Sequence, residues 1–132
     1  MGEHFHVLVW IDHQLAKVIS FNTESADSSI VHSTHRKQHL HHKVNASDSG
    51  HVAVDSEYLE RVALALKDAG AILITGPASA KKELMAHIER AHPEIAKRVS
   101  GVETVDHPTD GELVTMGRRF FRADDRMQAQ RH

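Results

Sequence analysis

The chain has 132 residues, of which 40% are hydrophobic and 26% are charged. That is one domain's worth of sequence with an ordinary globular balance, which excludes two full cores and a disordered polymer. The formal net charge of −2 argues against a strongly basic nucleic-acid binder, and the lack of cysteine excludes a disulfide framework, a thiol nucleophile and a cysteine zinc site.

Thirteen histidines are a large excess for this length. Their unperturbed pKa of about 6.5 makes the net charge move steeply just below neutral pH. Met1 to Val9 lacks a basic region followed by a long apolar run, so no secretory signal is expected. No apolar stretch approaches the roughly 20 residues that span a bilayer. The expectation is a cytoplasmic protein without a membrane partner.

Phe5 to Ile11 predicts a strand, with Phe5, Val7, Val9 and Ile11 on one face and Leu8 and Trp10 on the other. A strand apolar on both faces belongs at the centre of a covered sheet. Asp12-His13-Gln14 is turn-like, and Leu15 to Phe21 predicts a second strand that closes a hairpin. Asn22 to Ser28 reads as a polar turn and Ser29 to Thr34 as a third strand. His35 to Gly50 has only Leu40, Val44 and Ala46 as apolar residues. It reads as a long exposed loop, a type that is usually functional or disordered.

Asp55 is a good N-cap, and Leu59, Val62, Ala63 and Leu66 follow at helical spacing, with Gly70 placed to end the helix. Ala71 to Thr75 predicts a short buried strand. A second helix starts near Ser79 and carries Leu84, Met85 and Ile88 on one face, and Pro93 opens a short helix through Arg98. Val99 to Val105 predicts a strand interrupted by Gly101. Thr109-Asp110-Gly111-Glu112 matches a capping box for a last helix with Leu113, Met116, Gly117 and Phe120 as its buried stripe. Arg122 to His132 is a polar tail expected to fray. The order β-β-β-loop-α-β-α-(α)-β-α gives one α/β domain over residues 4–121, with a tail over 122–132.

Three constellations carry possible chemistry. His32 to Lys43 holds five histidines with Arg36, Lys37 and Lys43 and no acid. Arg36, Lys37 and Lys43 suit phosphates, and His35, His39, His41 and His42 can add charge or stack on bases. The alternative is a metal-binding or metal-sensing loop using His35, His39, His41 and His42, disfavoured by the cations among them. A plain solvated loop is the third reading. Ser79, Lys81 and Lys82 follow a strand at a helix start, where anions bind. Yet Lys81 and Glu83 stand where a phosphate loop needs Gly and Ser or Thr, so a simple turn plus cap is the stronger reading. Asp12, Asp55 and Asp106 would hold magnesium only if the topology gathered them; turn residues are the simpler account. His4 and His6 read as edge or solvent-facing. No nucleophile elbow occurs, and neither a catalytic residue nor a cofactor is expected.

Val7-Leu8-Val9-Trp10-Ile11-Asp12, Ala16-Lys17-Val18-Ile19-Ser20-Phe21, and Ala71-Ile72-Leu73-Ile74-Thr75-Gly76 running on through Lys82-Glu83-Leu84 carry a family resemblance. In order and spacing the chain is similar to the middle domain of archaeal and eukaryotic class-one peptide-chain release factors and Pelota. It is similar too to the bacterial release-factor-like, host-attachment-like proteins, whose last helix often ends in a cluster like Arg118-Arg119-Phe120-Phe121. The resemblance implies a ribonuclease H-like mixed sheet with three to four helices, of the translational machinery component type, and a ribosome or RNA partner. The family's Gly-Gly-Gln does not match here: Gln38 has no Gly-Gly before it. Peptidyl-tRNA hydrolysis is therefore not carried over. The expectation is a stand-alone, non-catalytic translation-associated domain that contacts the ribosome or structured RNA through the histidine-rich loop.

Overall fold

The computed structural model of the chain describes residues 5–22, 25–33 and 55–130, with the side chains of 5 and 124–130 excepted. Among the described residues five strands and four helices follow in the order β1 (Phe5–Ile11), β2 (Leu15–Phe21), β3 (Ala26–His32), α1 (Ser56–Ala65), β4 (Ala69–Gly76), α2 (Ala80–Ala91), α3 (Pro93–Ala96), β5 (Val99–Thr104) and α4 (Asp110–Gln130). They form an α/β fold around a mixed sheet of order β3-β2-β1-β4-β5.

The sheet divides at β1. On one side β1 pairs antiparallel with β2, and β2 with β3. On the other, β4 pairs parallel with β1, and β5 parallel with β4. Antiparallel neighbours need only tight turns, whereas parallel neighbours need crossovers. The helices α1, α2 and α3 lie in those crossovers. β1 is central, as its two apolar faces require.

Alternation along the strands builds two cores. Val7, Val9, Ile11, Val18, Ile72 and Ile74 meet residues of α1, α2 and α3 on one face. Leu8, Trp10, Ile19, Phe21 and Leu73 meet Leu113 and Phe121 of α4 on the other. The first core is mainly aliphatic, and the second sets Trp10, Phe21 and Phe121 among its aliphatic residues. Close approach matters in both. A Cβ on Gly117 would lie 2.5 Å from Phe21 Cζ, so any larger residue there would have to displace the Phe21 ring or lift α4 from the sheet. A Cβ on Gly76 would lie 2.3 Å from the Ile11 carbonyl oxygen, so β4 can end against β1 only as glycine.

Four expectations shift. β3 starts at Ala26, not Ser29, because an edge strand with few buried side chains lacks the apolar alternation that marks the others. Gly70 does not cap α1. The helix ends at Ala65 with the Leu66 amide donating to the Ala63 carbonyl and the Lys67 amide to the Leu64 carbonyl, and Gly70 already lies in β4. His6 is not a free surface group: its ring stacks on Phe121 at 4.6 Å, since α4 covers that face of the central strand. Residues 122–130, read as a tail, continue α4 as helix. The segment 35–50 lies outside the described residues. Among the described residues, no helix is long and apolar enough to cross a membrane.

Candidate functional site

The three parallel strands all end at one edge of the sheet, at Ile11, Gly76 and Thr104. In open α/β sheets the region beyond the carboxyl ends of the strands is where ligands bind. The β1–β2 turn, the start of α2 and the start of α4 lie there. β3, antiparallel to β2, also ends at this edge, and its next residue Ser33 donates its amide to the Gln14 carbonyl at 2.9 Å. Asp55 caps α1, and Tyr58 of that helix donates its hydroxyl to the Asp12 carbonyl at 3.0 Å. Both described ends of the chain that flank residues 34–54 are therefore tied to the same turn.

Most polar side chains at this edge hold backbone groups. Asp12 Oδ1 accepts the amides of Gln14 and Leu15 at 2.8 and 2.9 Å. Asp55 Oδ1 accepts the Glu57 amide at 3.1 Å. The α4 capping box closes in both directions, Thr109 N to Glu112 Oε1 at 2.8 Å and Glu112 N to Thr109 Oγ1 at 3.1 Å. Trp10 Nε1 donates to the Asp106 carbonyl at 2.8 Å, and Asp106 Oδ1 faces His107 Nδ1 at 2.8 Å. Asp12, Asp55 and Asp106 do not form a metal-sized group among the described residues. Asp12 serves its own turn and Asp55 its cap, while the Asp106 carboxylate faces the His107 ring. Burial, with Asp12 adding to it, pushes the Tyr58 hydroxyl well above the ordinary 10.0.

The three anion-binding candidates separate. Lys82 is exposed. Lys81 is 4% exposed and its ammonium donates to the Ala78 carbonyl. Ser79 is exposed, makes no side-chain cap bond, and its hydroxyl donates to Glu83 Oε2 at 3.4 Å. Glu83 thus sets a carboxylate at the start of α2, where the helix dipole favours negative charge. Its other oxygen lies 3.7 Å from His13 Nε2. A shallow groove of about 500 Å³ runs beside the β5–α4 turn, lined by Val105, Asp106, His107, Pro108, Glu112 and Met116. Arg36, Lys37, Lys43, His35, His39, His41 and His42 lie outside the described residues.

A second polar region sits away from this edge, between α1 and the α2–α3 turn. Glu60 Oε1 accepts from His87 Nε2 at 2.8 Å and from His92 Nε2 at 2.9 Å, with Oε2 at 3.0 Å from the same His92 nitrogen. These bonds, that of His87 first, hold the Glu60 carboxyl below its ordinary range. The sequence reading did not find this trio. Its members come from three elements, and no motif spacing joins them. The one available signal was His87, which falls on the apolar stripe of α2 with Leu84 and Ile88.

No protein-family model matches the chain, and no curated protein matches it in sequence. Solved structures do. Archaeoglobus fulgidus Pelota superposes with a TM-score of 0.63 at 16% identity, over 89% of this chain and 32% of that one. Thermoplasma acidophilum Pelota gives 0.59 at 15%, over 82% and 30%. Saccharomyces cerevisiae Dom34, described as a translation termination-like factor involved in RNA quality control and interacting with Hbs1, gives 0.53 at 12%, over 80% and 30%. The chain spans about a third of the length of these proteins. Its fold is that of a release-factor/Pelota-type domain.

Proposed function

We propose that this chain is a translation-associated domain that contacts the ribosome or structured RNA, without catalysing a reaction itself. The observation that carries the reading is the fold, shared with a domain of Pelota and Dom34. It is supported by the placement of Ser33 and Asp55 at the carboxyl edge of the sheet. The segment between them contains Arg36, Lys37 and Lys43 with His35, His39, His41 and His42. It is therefore tethered at both ends where this class of sheet presents ligand-binding groups. Phosphate contact falls to Arg36, Lys37 and Lys43, with the imidazoles adding charge as pH falls, and exposed Lys82 in the first turn of α2 is a further candidate. Lys81 and Ser79 contribute through the turn's shape, since their polar atoms are bonded within it.

Co-sedimentation with ribosomes tests the reading. Binding is expected, stronger at pH 6 than at pH 7.5 and weaker with added salt, because phosphate contacts release counterions. Replacing Arg36, Lys37 and Lys43 together by alanine is expected to weaken binding and to flatten the salt slope by about three units at most. Stability is expected to change by less than about 0.5 kcal/mol, the usual range for surface substitutions. Equal binding by the wild type and the triple variant would remove this segment from the mechanism. Release of peptidyl-tRNA that depends on Gln38 would overturn the non-catalytic part.

A further inference from the structure

We propose that Glu60, His87 and His92 form a binding site for a divalent first-row transition cation of the zinc class. The ligand atoms of the three side chains lie within 4.8 Å of one another. Two imidazole nitrogens and a carboxylate oxygen are a donor set that zinc and its neighbours favour, and three protein ligands leave a fourth position open. With metal–ligand bonds of about 2.0–2.2 Å, tetrahedral ligand atoms sit roughly 3.4 Å apart. The hydrogen bonds of 2.8 and 2.9 Å would each need to open by only about half an ångström.

The supports of the site are stiff. His92 ends α2 and starts α3. Its amide donates to the Ile88 carbonyl at 2.7 Å, and its own carbonyl accepts the Ile95 and Ala96 amides at 2.9 and 3.1 Å. His87 is 8% exposed, held in the buried face of α2. Glu60 and His92 keep side-chain exposures of 38% and 19%, which leaves a path for an ion and a water.

His87 Nδ1, across the ring from Nε2, is buried and has no hydrogen-bond partner among the described residues, so it is not taken up by another contact when Nε2 turns to a metal. Proton accounting is simple. Coordination through Nε2 requires each ring to give up the proton it now shares with Glu60. A neutral ring takes a proton back at Nδ1, and a charged ring releases one to solvent. Glu94 Oε2, 3.8 Å from His92 Nδ1, is placed to orient that ring once its Nε2 is on a metal, as outer carboxylates commonly do.

The test is zinc chloride titrated into the full chain by calorimetry, with melting temperature followed in parallel. Four proteins are compared: wild type, His92→Gln, Glu60→Gln, and a variant with His35, His39, His41 and His42 all replaced by alanine. The expected result is one zinc per chain and a zinc-dependent rise in melting temperature, retained in the quadruple variant. Both should be lost or at least tenfold weaker in His92→Gln and Glu60→Gln, each judged against its own metal-free melt. Cobalt(II) should give the visible spectrum of a tetrahedral site in the wild type and the quadruple variant alone. No binding by the wild type, undiminished binding by His92→Gln and Glu60→Gln, or binding lost only in the quadruple variant would overturn the proposal.

Discussion

The carboxyl edge of the sheet and the seam between α1 and α2 are both rich in polar side chains, but the side chains do different work. At the edge, Asp12, Asp55, Tyr58, Thr109, Glu112 and Trp10 each bond a backbone amide or carbonyl. At the seam, His87 and His92 both donate to the Glu60 carboxylate. Backbone groups buried at strand and helix ends must find partners, so a polar residue at the edge is first of all structural. Side chain to side chain bonds are the minority class in folded proteins, about 10–15% of the total. A cluster of them on three elements therefore calls for another explanation. The difference predicts that edge substitutions cost stability, while seam substitutions cost little stability and change what the protein can bind.

The largest effect is expected at the edge, from Gly76→Ala. The added methyl would lie 2.3 Å from the Ile11 carbonyl oxygen, and a backbone atom cannot swing aside as a side chain can. β1 and β4 would have to separate at the point where the two halves of the sheet join. A loss of about 2–3 kcal/mol is expected, in the range for overpacking a tight interior, measured by urea unfolding. A loss below about 0.5 kcal/mol would mean that the strand ends are loosely held and that the edge is less rigid than its contacts imply.

Intermediate effects are expected from the caps. Asp55→Ala removes the acceptor for the Glu57 amide, and Thr109→Ala opens one half of the α4 box. Each should destabilise by about 1 kcal/mol, typical of an N-cap loss. The Asp55 variant should also loosen the return of the chain after residues 34–54. If so, it weakens ribosome binding by more than Thr109→Ala does at equal stability loss. Equal binding by the two variants would separate the cap at α1 from the proposed contact.

The caps also show what was legible in sequence and why. Thr109 and Glu112 announce themselves because a capping box is local: both partners lie within one turn. β1, β2 and the α1 stripe are legible for the same reason, since period-two and helical spacing are properties of single segments. The strand order could be anticipated only in part, from the double apolar face of Phe5 to Ile11. The start of β3 was missed because an edge strand with exposed Asp27, Ser28 and Ser29 shows no alternation to read. Gly70 misled because glycine after a helical stripe usually marks a left-handed cap, while here a turn at Leu66 to Asp68 ends the helix without one. The seam was illegible in kind. Glu60 and His92 stand 32 positions apart, and only the packing of α1 against α2 brings them together. A lone histidine on an apolar stripe is the trace such a site leaves.

The smallest effect is expected at the seam, and its sign with pH is the informative part. Glu60 holds its proton less readily in the folded chain than in the unfolded one, because His87 and His92 hydrogen-bond the carboxylate. A carboxyl depressed by folding contributes stability that is fully present above its ordinary value, 4.5 here, and lost as pH falls through the lowered one. Comparing the metal-free wild type with Glu60→Gln should therefore give a small difference in melting temperature at pH 6–7, less than that of Asp55→Ala, because the carboxylate is solvent-screened. The difference should shrink steadily below pH 4.5 and vanish in stronger acid. A difference as large as that of the caps would make Glu60 a structural pin like Asp55, and the contrast between edge and seam would fail. A difference that grows as pH falls from 4.5 into stronger acid would mean that the carboxyl is not bonded to the two rings at all. A small difference that fades in acid, beside a large loss of zinc binding in the same variant, is the pattern expected of a seam whose three side chains are kept for an ion rather than for the fold.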